Sequence, residues 1–439
     1  MLSPKNPIEL SELDLPQTLE VDYKRLKGVD VPIVTTSASF RGDIFKNFGE
    51  RARLTDNDIV FSRAHFSMSI ALLRVAHEMG LSAWFIDPTN YVTKKDWDHL
   101  KFVVMVGQLV ARFPFLKRIK DTIDTITRGN LPITRAITKP LLYVTANDTT
   151  PVLSVHYETG NILAAEGRTV LQVVTDPHIR PQYLLEAGRK NMHFAVFDKQ
   201  TKEELLNKAK EQKIELETER VVVTGPPVDP IIVRARKDKK TENFKKRPLR
   251  LCITTGGLGQ NKDEILKSLE SIAPEIKAGK IHVILYASTL PDFKDMYEEF
   301  VKKHKLPLGK EITETSSPVR IIYSTSIIEA NQALIDHAFS WADGFITKPS
   351  GDMAYDAAGA GCFILALTPW GDWEQNILKI FSNLSILKEA DTKNLAKQIK
   401  ELEETGWIQA AINNALKLDK LYLTGAKNIV ELQQKLTKS

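Results

Sequence analysis

Along most of this chain, short β-branched runs alternate with segments of helical period, and the alternation restarts after a basic interruption. A strand without a polar side must be covered on both faces, which points to parallel sheets flanked by helices. In the first series, strands are expected at DIVFS (58–62), AWFID (83–87), LLYVTA (141–146), TVLQVVTD (169–176), HFAVFD (193–198) and RVVVTG (220–225). In the second they are expected at LRLCITT (249–255), IHVILYAS (281–288), VRIIYS (319–324), GFITK (344–348) and CFILAL (362–367). Two such series predict an α/β chain of two Rossmann-like, doubly wound domains facing a cleft. Residues 1–50 are left as an unassigned extension, 51–230 form the first domain, 231–248 a linker and 249–390 the second domain. Residues 391–439 read as helices able to pack back across both domains.

The length of 439 residues suits two domains, and 43% hydrophobic with 26% charged residues argues against disorder. Cys252 and Cys362 lie in apolar runs and read as buried, reduced thiols, which favours a cytoplasmic setting. The N-terminal stretch lacks the apolar core of a signal peptide, and no apolar run is long enough to span a bilayer. Residues 231–250 hold nine Lys/Arg against Asp238 and Glu242, a local excess larger than the net +5 of the whole chain. With only Phe244 as an aromatic, this run reads as a solvated interdomain linker rather than a nucleic-acid surface.

Ligands of doubly wound sheets bind beyond the carboxyl ends of the strands, so the strand-to-helix loops are where chemistry is expected. T-T-G-G-L-G (254–259) follows a buried strand, and its glycines let backbone N–H groups approach a phosphate. It matches neither the Walker nor the G-x-G-x-x-G pattern, and a plain structural turn is an equal alternative. T-K-P-S-G-D-M-A-Y-D (347–356) offers Lys348 to neutralise phosphate and Asp356 to accept bonds from a ribose diol. T-P-W-G-D-W-E-Q-N (368–376) offers Gln375 and Asn376 as amides for sugar hydroxyls, with Trp370 and Trp373 as stacking or packing groups.

The stretch WADGFITKPSGDMAYDAAGAGCFILALTPWGDWEQNI (341–377) resembles the C-terminal signature of glycosyltransferase family 28. TTGGLG is similar to that family's Gly-rich loop, VVVTGPPVDP (221–230) to its exit from the first domain, and TVLQVVTDPH (169–178) to its glycolipid synthases. The resemblance implies the GT-B architecture and an inverting hexosyl or N-acetylhexosaminyl transfer from a UDP-sugar to a hydroxyl. It implies that Gly256, Gly257 and Gly259 face the donor diphosphate; Thr255, Lys348, Ser350 and Gly351 are assigned to the donor site with them. Asp356 stands where the family has a ribose-binding Glu, and Gln375 and Asn376 where it has amides on the donor sugar.

In the first domain the family's Gly-rich turn ending in His corresponds to F-S-R-A-H (61–65), where Arg63 and Ala64 replace glycines. His65 reads equally as catalytic base and as a structural histidine. Asp176 and His178 are second choices for acid/base work, and Arg63 and His178 are assigned to the acceptor side. D-W-D (96–98) has the form of a metal-binding D-x-D but reads as a helix start, so neither a metal nor a separate cofactor is expected; the UDP-sugar is a substrate. His99–Lys120 is basic and apolar without an acid. A buried helix with snorkelling ends is the favoured reading. The alternative is a segment in an anionic lipid interface, peripheral on the inner membrane face, next to a lipid-linked acceptor. Two rivals remain: a non-hydrolysing UDP-sugar epimerase on the same fold, and an inactive nucleotide-sugar-binding protein.

Overall fold

Apolar runs become strands here because both faces of each sheet are covered. In the strand Leu249–Thr254, Leu251 and Ile253 enter one core while Cys252 enters the other. No position faces water for the length of a polar alternation, so the run reads as continuously apolar. The computed structural model describes residues 16–39, 59–93, 95, 96, 98, 100, 132–146, 148–239 and 247–438.

The first sheet contains β1 (Val31–Val34), β2 (Ala83–Ile86), β3 (Val152–Ser154), β4 (Val170–Val173), β5 (Met192–Val196) and β6 (Val221–Val223). Its order is β2-β1-β3-β4-β5-β6. The second contains β7 (Leu249–Thr254), β8 (Ile281–Ser288), β9 (Val319–Tyr323), β10 (Gly344–Thr347), β11 (Phe363–Ala366) and β12 (Leu387–Glu389), in the order β12-β11-β10-β7-β8-β9. Every ladder pairing in both sheets is parallel.

The last helix, Leu421–Lys438, returns to the first domain. Its Asn428 donates to the Thr224 carbonyl at 2.8 Å, and Gln433 donates to the carbonyls of Asp30 (3.1 Å) and Pro151 (2.8 Å). Ala426, Ile429 and Val430 of this helix join an apolar core that runs through both domains. Burying an aliphatic side chain of that size stabilises by about 1.5–3 kcal/mol, so the helix fastens the two halves together.

Several expectations are corrected. LLYVTA lies largely in the helix Pro132–Val144, where Leu141 and Val144, three positions apart, are buried. A short apolar run does not declare its period, and the third strand is instead the brief VLS of β3. Among its described residues, 59–62, DIVFS contributes an isolated antiparallel bridge between Val60 and Ala38 and no strand. The first domain does not begin at 51, because β1 lies inside the sheet between β2 and β3, within the stretch left unassigned. β12 was not foreseen.

Nor is the start of the basic run a solvated linker. Pro230–Ala235 is a helix with Ile232 buried, and Arg236 donates to the carbonyls of Gly359, Ala415 and Leu416. Residues 240–246 lie outside the described residues, as does the 99–120 segment apart from Leu100. Cys252 and Cys362 are both buried and unpaired with one another. Thr93 accepts from the Asp96 N–H and donates to its carboxylate at 2.8 Å, so Thr93 caps a helix start in which Asp96 answers as the third residue. Among the described residues no helix is long and apolar enough to cross a membrane.

Candidate active site

In each sheet the strand order reverses once, between β1 and β3 and between β7 and β10. Such reversals open a crevice at the carboxyl ends of the two strands. Here both crevices open into one cavity of about 390 Å³ between the domains. Thr36 follows β1, His156 and Tyr157 follow β3, Thr255 to Gly257 follow β7, and Lys348 to Asp352 follow β10; all but Pro349 of these line it.

The first-domain wall is built on helix starts. Ser62 caps the helix Arg63–Glu78 by accepting from the His65 N–H, which fixes His65 on the turn nearest the cavity. Nε2 of His65 lies 3.1 Å from Thr175 Oγ1, and its ring meets that of His156 edge-on at 5.0 Å. Burial, reinforced by the charge of Arg180, lowers His65 to about 4, so the imidazole is neutral near pH 7. His156 caps the next helix, Tyr157–Ala165, with Nδ1 accepting from the Glu158 N–H. Burial and the neighbouring His65 hold it well below the usual histidine range. Asp176 lies 3.1 Å from Arg180, yet burial outweighs that pairing and raises its carboxyl to about 6.

The second-domain wall is charged but internally matched. Lys348 donates to Glu374 and to Gln260 Oε1, each at 2.6 Å. The other oxygen of Glu374 accepts from the Trp370 N–H at 2.7 Å, which ties the 368–371 loop to the helix Asp372–Asn383. Thr254 and Thr347, at the ends of β7 and β10, share a 2.7 Å hydrogen bond beneath the cavity.

The domains touch around this cavity. Arg63 crosses from the first domain to pair with Asp352 at 2.6 Å and to donate to Asn331 at 2.8 Å, with both ends of the pair about 95% buried (4% and 5% exposed). Burial opposes ionisation of Asp352, but Arg63 and the Ser350 hydroxyl outweigh it and hold the carboxyl below its usual range. Arg180 lies over the Trp373 ring, 4.5 Å from its centroid. A Cβ on Gly351 would lie 2.5 Å from the Thr175 carbonyl oxygen and closer still to the Asp176 carboxylate, so only glycine permits this approach.

Of the residues singled out from sequence, the cavity brings together Arg63, His65, Asp176, Thr255, Gly256, Gly257, Lys348, Ser350 and Gly351. Five others do not line it. Asp356 is buried, one carboxylate oxygen accepting no hydrogen bond and lying 3.8 Å from Arg63, and burial pushes its carboxyl well above the usual range. Gly259 closes a turn by donating to the Gly256 carbonyl. Gln375 is exposed, and Asn376 donates to the Pro177 carbonyl at 3.1 Å. His178 lies 3.3 Å from Glu204. From the W-E-Q-N segment the cavity takes Trp373 and, as its polar group, Glu374, one residue before Gln375; helix phase, set by the start at Asp372, decides this. His156, Tyr157, Arg180, Gln260 and Asp352 were also missed. The first two follow from misplacing the third strand.

Two doubly wound domains with a shared cleft at their switch points define the GT-B fold. Solved structures agree on that class. Staphylococcus aureus MnaA, in a co-structure with UDP, is similar at a TM-score of 0.51 with 11% identity, covering 90% of this chain and 94% of that one. UDP-GlcNAc 2-epimerase from Neisseria meningitidis, bound to UDP-GlcNAc, is similar at 0.50 with 12% identity, covering 93% and 100%. MurG from Acinetobacter baumannii aligns at 0.47 with 12% identity over 92% and 99%, too low to weigh. No protein-family model and no curated protein sequence matches the chain.

Proposed function

We propose that this chain is a UDP-sugar-dependent enzyme that transfers a hexosyl or N-acetylhexosaminyl unit to a hydroxyl acceptor, with inversion. The observation that carries the reading is the opposition of two sets of groups across one cavity. Backbone around Thr255 to Gly257 and the Lys348 ammonium face it from one domain, and Asp176 and His65 face it from the other. The former suit a leaving diphosphate. The latter suit removal of a hydroxyl proton.

Of the two bases, Asp176 is better matched to neutral pH. A group titrating at about 6 is largely ionised at pH 7 and still holds a proton usefully, whereas His65 at about 4 is a weak base. His65, bonded to Thr175, then orients the acceptor side. The bound UDP and UDP-GlcNAc in the fold's solved neighbours support the choice of donor class. No metal or separate cofactor has a part in this proposal. A lipid-linked acceptor at an anionic membrane is proposed with it; absence of flotation with anionic liposomes would remove that part.

The second reading is epimerisation of the UDP-sugar itself. It is favoured by the gathering of Asp176, His65 and His156 on one wall, which can take and return a proton without a second substrate. A panel of UDP-sugars, incubated with and without hydroxyl acceptors, separates the two. UDP released only with acceptor supports transfer. Epimer formed without acceptor supports the second reading, and neither product leaves a binding protein.

A further inference from the structure

The arginines and lysine that line the cavity are Arg63, Arg180 and Lys348, and each already faces a carboxylate. Arg63 pairs with Asp352 at 2.6 Å, Arg180 with Asp176 at 3.1 Å and Lys348 with Glu374 at 2.6 Å. A cleft that receives a diphosphate needs positive charge to spare, and among the described residues that line it these pairs leave no side-chain cation free. The Arg63 pair is sealed between the domains, and the Arg180 guanidinium is also held on the face of Trp373. Lys348 is the cation beside the Gly-rich turn: a Cβ on Gly256 would lie 2.8 Å from its Cε.

Glu374 is placed as a phosphate would be. One oxygen takes the ammonium of Lys348 and the other takes the backbone N–H of Trp370, the kinds of donor that phosphate oxygens use. Its side chain is 1% exposed, so it is built in rather than resting on a surface. It lies on the first turn of its helix, immediately after the 368–371 loop, where a change in that loop moves it.

We infer that Glu374 is an internal competitor for the donor's phosphates, and that displacing it from Lys348 sets how strongly the cleft selects for anionic ligands. The inference rests on the nucleotide-sugar reading above. When the diphosphate arrives, Lys348 exchanges one anion for another, and the freed carboxylate repels the ligand unless it turns away. Replacing Glu374 with Gln keeps the size and an oxygen acceptor for Trp370 while removing the competing charge.

The test is isothermal titration of UDP and of uridine into the parent and into Glu374→Gln, with Glu374→Asp as the charge-preserving variant and circular dichroism to confirm folding. The expected result is UDP binding roughly ten-fold tighter in Glu374→Gln, with uridine affinity unchanged and Glu374→Asp close to the parent. UDP binding that is equal or weaker in Glu374→Gln, while the parent binds UDP, overturns the inference and leaves the proposed function standing. Equal tightening toward uridine also overturns it, since an uncharged nucleoside does not compete with a carboxylate. Failure of both proteins to bind UDP sinks the proposed function and the inference with it. Should Glu374→Gln fail to fold, the same comparison is made with Glu374→Ala.

Discussion

Asp176 is where stability and chemistry oppose one another. Its carboxyl is raised to about 6, so between about 4 and 6 the folded chain holds a proton that the unfolded chain has released. Stability therefore falls as pH rises through that window, and above it the cost is on the order of 3 kcal/mol. Asp176→Asn is expected to raise the melting temperature at pH 7.5 and to change it little at pH 4.5, while abolishing turnover; equal shifts at both pH values contradict the assignment. His65 works in the other direction. Its value of about 4 lies below the ordinary 6.5, so stability is lost as pH falls between the two. Arg63 carries a different burden. Arg63→Ala leaves Asp352 buried without its cation, and a loss of about 3–5 kcal/mol is expected in urea unfolding. Arg63→Lys should recover only part of that, because a lysine lacks the fork that reaches both Asp352 and Asn331. His65, Asp176 and Arg63 were legible as candidates, but their ionisation and pairing were not. The sequence offers Arg63 as a lost glycine, and only the folded chain shows it crossing into the other domain.

At the scale of elements, the rhythm of apolar strands was largely legible because sheets buried on both faces write their pattern in continuous runs. What failed did so for local reasons. β1 is brief and lies within the stretch left unassigned, and LLYVTA has the composition of a strand but is buried at a helical spacing. The loops after β7, β10 and β11 were found because glycines and a proline mark them. Which side chain faces inward was not, because helix phase depends on the residue at which the helix starts; hence Glu374 rather than Gln375. Gly351 tests the closeness of the two walls. Gly351→Ala places a methyl group against the Thr175 carbonyl and the Asp176 carboxylate. Its β10 loop must then withdraw, and catalytic efficiency is expected to fall at least roughly ten-fold with the circular dichroism spectrum unchanged. An unaltered efficiency would mean that the two walls need not meet for the reaction.

Across the whole molecule, two parallel sheets place their reversals at one shared cavity, and the 421–438 helix holds them in that relation through Gln433, Asn428 and a shared apolar core. Function follows from that alignment more than from any one residue, which is why a two-domain plan could be read from sequence while the electrostatics of the cleft could not. The pairing of Arg63, Arg180 and Lys348 with carboxylates exists only once distant segments meet. The most direct measurement is a crystal structure of the protein grown with UDP. The nucleotide is expected in the interdomain cleft, its phosphates against Thr255 to Gly257 and Lys348, with Asp176 on the opposite wall. Nucleotide bound outside that cleft, with the 255–257 backbone and Lys348 contacts unchanged, would contradict it.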